Sequence, residues 1–211
     1  MLKIWGRGDA PNVQKVLWTC EELGLDYDRV DLGGPFGGGD DPAYRALNPN
    51  GLVPTLEDGG FVLWESHAII RYLAVKASSE ALYPPEIRQR ATVDQWLDWQ
   101  AVHQAQAVRG LVALLLRPDT ALPRPEQLDA AQGAAETVFR ILDHRLAQTS
   151  YVAAEAFTIA DIPNAVGARR WMTLAIERPR LSSLEAWLDR VQARPAFRRM
   201  SAASARNKGA T

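Results

Sequence analysis

Apolar and polar residues follow two different periods along the first part of the chain. "MLKIW" (1–5) is a short apolar run that predicts a buried strand, and "DYDRVDL" (26–32) predicts a second one. Between them, apolar residues recur at the spacing of one helical face, at Val13, Val16, Leu17, Cys20 and Leu23. Gly24 follows as a helix stop. The pattern predicts a strand–helix–strand unit whose two strands are parallel.

The next segment predicts a turn-rich loop and a hairpin. "GGPFGGGDDP" (33–42) is rich in turn formers, and "AYRAL" (43–47) predicts one helical turn. The apolar runs "LVPTLE" (52–57) and "FVLW" (61–64) flank the turn "DGG" and predict a β-hairpin, after which "ESHAIIRYLAVKA" (65–77) predicts an amphipathic helix. The order β-α-β-α-β-β-α therefore predicts an α/β domain that contains both parallel and antiparallel strand pairs.

The pattern changes after "SSEALYPPE" (78–86), which predicts a linker. Helical spacing then dominates, with helices predicted at 87–116, 125–149, 159–175 and 181–193 and a break at "RPDTALPRP" (117–125). The polar segment "SAASARNKGAT" (201–211) is predicted to fray. We therefore predict two domains, an α/β domain over 1–78 and an all-helical domain over 87–211.

Composition is typical of a soluble globular protein. The 211 residues are 47% hydrophobic and 23% charged, and the net charge of −1 does not favour nucleic acid as a partner. Residues 1–78 carry a net charge of −4 and the remainder +3. The single cysteine, Cys20, excludes an intramolecular disulfide, and no signal peptide or membrane-length apolar run is visible. We therefore expect a cytoplasmic protein that does not cross a membrane.

Two short features suggest a ligand site. Pro54 cannot donate to a sheet, so the Val53–Pro54 bond is either cis at an edge strand, leaving the Val53 backbone unpaired for an extended ligand, or trans at a strand start. Glu65 and Ser66 stand where the hairpin ends and a helix begins. They suit the ammonium and carboxylate of an α-amino acid, although an ordinary Ser N-cap beside a solvated Glu explains the same residues.

Together these segments resemble a known family. "VLWTCEELGLDYDRVDL" (16–32), "NPNGLVPTLEDGGFVLWESHAIIRYL" (48–73) and the helical second half resemble glutathione S-transferases, of the bacterial theta- and nu-like types, over residues 1 to about 200. "FTIADI" (157–162) adds a capping-box-like pair, Thr158 and Asp161. Both the local capping pattern and the resemblance to the family assign these two residues to folding rather than to catalysis. The resemblance implies the glutathione transferase fold, a thioredoxin-like N-terminal domain followed by an all-α C-terminal domain.

The resemblance also implies how glutathione binds. The Val53 backbone would pair with the cysteinyl part, and Glu65 and Ser66 would hold the γ-glutamyl ammonium and carboxylate. Leu52 stands where some relatives place a basic or amide side chain for the glycyl carboxylate. That contact would then come from the loop at 33–39 or from the second domain.

Thiolate stabilisation is where this chain departs from many relatives. A cysteine-like thiol titrates near ~8.5, and lowering its pKa by about two units needs roughly 2.7 kcal/mol. Ala10 stands where many relatives have a Ser, and residues 1–12 contain no Tyr. "APN" (10–12) resembles the "TPN" of a bacterial subgroup, which implies that the Asn12 amide donates to the thiolate. Asn12 could instead only cap the helix.

The resemblance also implies a second substrate, an electrophile that the thiolate attacks. It is expected to bind between the domains, against the first long helix. Candidate contacts are Arg7, Ala10, His103, Arg109 and Trp171. Trp99 lies at the same helical spacing and could also line this cleft, but packing between helices explains Trp96 and Trp99 equally well. Cys20 is predicted to be a core residue, and His67, His103 and His144 are predicted to be surface or interface residues with no metal site.

The function implied is a homodimeric cytoplasmic transferase of detoxification. It would join glutathione, the co-substrate, to a small hydrophobic electrophile without a metal. Two alternatives stay open, a glutathione-dependent peroxide or disulfide reductase at the same site and a transferase-like binding module without activity.

Overall fold

A computed structural model describes residues 1–116 and 124–205. The first part contains four strands, which are β1 (Leu2–Trp5), β2 (Tyr27–Val30), β3 (Thr55–Asp58) and β4 (Phe61–Trp64). Three helices accompany them, α1 (Pro11–Leu23), α2 (Pro42–Leu47) and α3 (Ser66–Lys76), with a short 3-10 turn at Gly34–Phe36. This is the predicted order of elements, and β3 begins only after Pro54 because proline cannot donate to the sheet ladder.

The sheet has the order β2-β1-β3-β4. β1 pairs with β2 in parallel, whereas the pairs β1–β3 and β3–β4 are antiparallel. α1 ends as predicted at Gly24, which adopts a left-handed φ of 62° that glycine accommodates without strain. The mixed sheet with its helices, followed by helices alone, confirms the predicted fold class.

The later elements are helical. They are α4 (Ile87–Trp99), a π-helical segment (Gln100–Gln104), α5 (Ala105–Leu115), α6 (Pro125–Leu146), α7 (Asp161–Met172), α8 (Ser182–Gln192) and α9 (Pro195–Ala205). The predicted helix at 87–116 is therefore one helical run interrupted by a π segment. Most of the predicted break at 117–125 lies outside the described residues. Among the described helices, none combines the length and apolar character needed to cross a bilayer.

The chain divides into two compact units. The first comprises Met1–Tyr83 together with the described residues from Gln192 onward, and the second comprises Pro84–Val191. These bounds differ from the predicted domains, because α9 packs on α1 rather than joining the second unit. The segment from Ser201 to Ala205, which was predicted to fray, is helical because α9 has this apolar support: the ring of Phe197 meets that of Trp18 at 4.9 Å.

Candidate active site

The corner before β3 presents an unpaired stretch of backbone. The Val53–Pro54 peptide bond is cis, so the trans alternative is wrong. The Leu52 carbonyl accepts hydrogen bonds from the Tyr44 hydroxyl at 2.6 Å and the Asn48 side-chain amide at 2.8 Å. Within residues 1–116 and 124–205, no backbone hydrogen bond involves Val53. The Val53 main chain is thus held in place yet available for an extended ligand.

Sequence reasoning missed the residues that support this corner. Tyr44 and Asn48 are buried, and both also hydrogen-bond to the Thr55 hydroxyl, at 2.8 Å and 3.1 Å. The Leu52 side chain is 69% exposed, so its carbonyl rather than its side chain is fixed by the fold. The "NPNG" turn was visible in the sequence, but a turn signal does not reveal that its first Asn is buried.

Gly6 joins this corner to the start of α1. A side chain on Gly6 would collide with Val13 and would come within 3.0 Å of the Val53 Cβ. The backbone N–H of Gly6 donates to the Val30 carbonyl at 2.8 Å, which ties the turn to β2. Gly6 therefore brings Val53, whose backbone is unpaired, close to Val13 in the first turn of α1, 40 residues away in sequence.

The start of α1 leaves Asn12 exposed. Ala10 is the N-cap and provides no side-chain bond, and Pro11 occupies the first helical position. Asn12 comes second in the helix, beyond the cap position. Its amide has no hydrogen-bond partner among the residues that the structure describes. The capping explanation for Asn12 is therefore not supported, and its amide can reach a ligand.

The start of α3 has an unusual backbone. Glu65 is the N-cap, with a φ of 71° and no side-chain cap bond, and Ser66 is the buried first helical residue. The first N–H groups of a helix lack intrahelical acceptors, so this end can bind an anion. An ordinary Ser N-cap is excluded here because the cap is Glu65. A non-glycine residue at positive φ costs about 1–3 kcal/mol, and such strained residues cluster at functional sites.

A buried lysine lies beside this helix start. Lys15 of α1 is 4% exposed, and its Nζ lies 3.2 Å from Nε2 of His67, the second residue of α3. Burial lowers the pKa of Lys15 to about 7, and the negative charge of Glu65 opposes that change. The prediction that His67 is a surface residue is wrong, because the imidazole is buried, whereas its alternative as an interface residue stays a prediction. Sequence periodicity gave no signal for Lys15, which lies on the helix between apolar residues.

The other candidate of the first unit is Arg7. Its Nη1 forms an ion pair with Asp9 at 2.6 Å, and a side chain on Gly34 would come within 2.7 Å of its Nε. Gly33 similarly lies against Val53, because a Cβ there would meet the valine methyls at 3.7 Å. The glycine-rich loop therefore borders both Arg7 and the Val53 corner.

Candidate residues of the second unit differ in exposure. His103 and Arg109 are exposed, and Arg109 donates to the Gln106 side chain at 3.3 Å. Their contact with an electrophile stays a prediction. Trp171 is fully buried and stacks on Phe139 with a centroid distance of 4.2 Å, so it is a core residue and not a surface for a ligand.

Two further buried groups, Asp161 and Cys20, have structural roles. The Asp161 carboxylate accepts hydrogen bonds from the backbone of Val152 and Thr158 and from the Trp187 indole, at 2.8–2.9 Å. Cys20 is fully buried, and burial raises the pKa of its thiol to about 12, so it is a core residue as predicted. Among the described residues, no cluster of His, Cys, Asp or Glu could hold a metal ion.

Comparison with known proteins gives consistent matches over nearly the whole chain. Residues 10–76 match the model of the glutathione S-transferase N-terminal domain, and residues 103–195 match that of the C-terminal domain. Glutathione S-transferase GstB of Escherichia coli is 33% identical over 95% of this chain and 97% of its own length. Glutathione S-transferase 3 of Zea mays is 34% identical over 96% and 94%.

A solved structure is also similar. The theta class glutathione S-transferase from Xanthomonas axonopodis pv. citri, with glutathione bound, has a TM-score of 0.88 and 43% identity. The match covers 94% of this chain and 95% of that one.

Proposed function

This chain belongs to the glutathione S-transferase family and is a glutathione transferase, and we propose that it joins the thiol of glutathione to an electrophilic carbon of a small hydrophobic compound. The observation that carries the proposed site is the contact at Gly6. Gly6 lies between the side chains of Val53 and Val13, so Val53, whose backbone is unpaired, is close to the residue that follows the exposed Asn12. A peptide paired with Val53 would therefore have its thiol near the N-terminus of a helix.

The two ends of glutathione need different partners. We propose that the cysteinyl part pairs with the Val53 main chain, next to the Leu52 carbonyl. The α-ammonium of the γ-glutamyl group would donate to the Glu65 carboxylate. The α-carboxylate would accept from the Ser66 hydroxyl and from the first N–H groups of α3, where the helix dipole favours an anion.

Asn12 is proposed to lower the pKa of the bound thiol. A hydrogen bond to a charged group contributes about 1.5–3 kcal/mol, and a helix N-terminus adds about 0.3–1 kcal/mol. Their sum meets the roughly 2.7 kcal/mol that lowers a thiol pKa by about two units. The hydroxyl that Ala10 lacks is then not required, and the proposed mechanism needs no metal.

The reaction itself transfers one electron pair. The thiol proton leaves to solvent, the thiolate sulfur forms a bond to the electrophilic carbon, and a leaving group such as halide departs with the electrons of the broken bond. An acceptor double bond would instead take the electron pair and then a proton. We propose that Arg7, in the turn before Asn12, favours electrophiles that carry or develop negative charge.

The assembly and location of the protein are further proposals. We propose a homodimer, because Phe61 and Trp64 of the edge strand β4 expose 48% and 38% of their surfaces. We also propose a detoxification role in the cytoplasm, whose reducing conditions suit the free thiol of Cys20. Fractionation of source cells with an antibody to this protein tests the location.

The proposed reaction is tested by binding and turnover together. Calorimetry should show saturable glutathione binding, and an aryl halide should be converted to its glutathione conjugate. Ala10 lacks the hydroxyl that many relatives have at this position. The two alternatives, a glutathione-dependent reductase and a binding module without activity, are therefore tested by separate measurements. Turnover of hydroperoxides without conjugation would establish the reductase instead. Binding without turnover of either class would establish a binding module.

A further inference from the structure

Lys15 is a buried titratable side chain for which the proposed reaction has no use. It lies on α1, three residues after Asn12 and so on the same side of the helix. Its Nζ is 3.2 Å from the imidazole of His67, which directly follows the two residues proposed to hold the γ-glutamyl group. Helix α1, which carries the proposed thiolate donor Asn12, therefore also reaches the residues proposed to hold the γ-glutamyl group.

Glu65 and Lys15 act on each other through their charges. Lys15 is 4% exposed, whereas Glu65 is exposed at the helix start, and the glutamate charge raises the pKa of the lysine against the effect of burial. Glu65 has no side-chain hydrogen bond to the N-terminus of its own helix. The His67 imidazole contacts the Lys15 amino group, and the charge of Glu65, at the start of the same helix, acts on it.

Folding alone gives little reason for an amino group here. Lysine is among the residues least often fully buried, because removing an ammonium from water is unfavourable. An apolar side chain of similar length, such as methionine, avoids that penalty and tolerates irregular packing. A buried lysine at a binding site therefore indicates a role in that site.

We propose that Lys15 is a positioning residue of the γ-glutamyl subsite, which holds the Glu65 carboxylate where it accepts the α-ammonium of glutathione. This rests on the proposed glutathione site. The contact with His67 fixes the Lys15 amino group at the start of α3. Its positive charge attracts the exposed Glu65 carboxylate, which has no side-chain cap bond, so that this carboxylate is preorganised. Lys15 itself does not touch the reacting atoms.

A double-mutant cycle tests this role. Lys15→Met should weaken glutathione binding by about 10-fold, raise KM for glutathione to the same extent and change kcat by less than about 2-fold. In a Glu65→Gln background the same substitution should change Kd by less than about 2-fold, because the carboxylate that it positions is gone. Lys3→Met, at a half-exposed site on β1, is the matched control and should bind like the wild type.

A second probe separates positioning from general damage. Glutaryl-cysteinyl-glycine keeps the carboxylate of glutathione but lacks the α-ammonium. Wild type and Lys15→Met should bind it equally well, and Lys15→Arg should restore most of the affinity for glutathione. Lys15→Gln gives the same comparison if the methionine variant does not fold.

The outcomes separate the two proposals. Absence of glutathione binding by the wild type would reject the site as a whole. Normal binding by the wild type, with an unchanged Kd in Lys15→Met or with additive effects of the Lys15 and Glu65 substitutions, would reject the role of Lys15 alone. An equal loss of affinity for the analogue without an ammonium would also reject it.

Discussion

At the scale of single residues, one amide at the start of α1 should set the acidity of bound glutathione. Replacing Asn12 with Ala removes the proposed donor to the thiolate, so the pKa of the bound thiol should rise by about 1–2 units. The ultraviolet absorbance of the thiolate, followed against pH in the binary complex, measures this pKa. Gln14→Ala, two residues further along α1, should leave the titration unchanged. A titration of Asn12→Ala identical to the wild type would remove the side chain from the mechanism.

Glu65 and Ser78 allow a test of backbone strain at the site. Both have a positive φ, 71° and 51°, which glycine adopts more readily than other residues. Glu65→Gly should therefore have a free energy of unfolding about 1 kcal/mol above that of Glu65→Gln, measured by urea denaturation, although both variants lose affinity for glutathione.

Ser78→Gly is the matched control for Glu65→Gly. It should gain similar stability and keep full affinity, because Ser78 lies beyond α3 and away from the proposed ligand. A Glu65→Gly variant less stable than Glu65→Gln would show that the backbone there is not strained.

The buried amino group of Lys15 predicts a pH dependence of stability. Its pKa is lowered from 10.5 to about 7 in the folded chain, so the unfolded chain binds more protons between these values. The stability of the wild type should therefore rise with pH across this window. The slope is at most about 1.4 kcal/mol per pH unit.

Lys15→Met lacks this titration. It should be more stable than the wild type at pH 7 by up to about 4 kcal/mol, and the difference should shrink towards pH 10. Urea denaturation at several pH values measures it, with Lys3→Met as the surface control. A Lys15→Met variant less stable than the wild type at pH 7 would contradict the unfavourable burial of the amino group.

The sequence predicted candidate site residues that local motifs mark and missed neighbouring residues whose contacts depend on packing. Val53, Glu65 and Ser66 could be singled out because a proline and a helix start mark them in the sequence. Lys15 and His67 could not be paired, because their contact joins two helices 52 residues apart. Trp171 was misassigned, since a large aromatic residue at helical spacing fits a cleft and a core equally well.

At the scale of elements, α9 supports the turn that leads into α1. Arg194 binds the Glu22 carboxylate with two hydrogen bonds of 2.7 Å, and Arg199 binds Glu21 at 2.7 Å. The far end of α9 then lies against the turn, where a Cβ on Gly8 would come within 3.0 Å of the Ser204 Cα. The position of this turn therefore depends on a helix that is remote in sequence.

Gly8→Ala tests this dependence. The added methyl group would lie 2.6 Å from the Arg29 Nη1 and 3.0 Å from the Ser204 Cα. The flexible Arg29 side chain can move aside, but the backbone of α9 forces the turn to shift, so kcat/KM should fall by about 10-fold or more. Gly133→Ala is the control, because a Cβ there meets nothing within 4 Å and helix α6 should gain up to about 1 kcal/mol. Steady-state kinetics with an aryl halide measure the effect, and unchanged kinetics of Gly8→Ala would show that the turn is not fixed by α9.

Element prediction succeeded where periodicity is local and was less accurate where tertiary contacts decide. The βαβαββα order followed from runs of apolar residues and turn formers. The π segment at Gln100–Gln104 could not be predicted, because the apolar spacing continues through it. The helical character of 201–205 was missed because this polar segment is stabilised by packing on α1 rather than by its composition.

At the scale of the whole molecule, the proposed homodimer gives a direct measurement. Analytical ultracentrifugation should find twice the mass of the 23.3 kDa chain. Phe61→Ser should shift the equilibrium towards monomer by about 10-fold or more, because the ring is proposed to be buried in the interface. Ile141→Ser on α6 removes an apolar side chain of equal exposure, 48%, and should leave the equilibrium as it is. A monomeric wild type would reject the proposal.

The arrangement of α9 has a consequence for biosynthesis. A ribosome synthesises residues 1–83 well before it reaches Arg194, Phe197 and Arg199. Until then, the residues of α1 that contact these three side chains lack these contacts. The whole second unit is made in that interval and can acquire its structure while the nascent chain is still tethered. The first unit, which carries the proposed glutathione site, is thus expected to be finished last, and a translation arrest before residue 194 would leave a thioredoxin-like unit without its final helix.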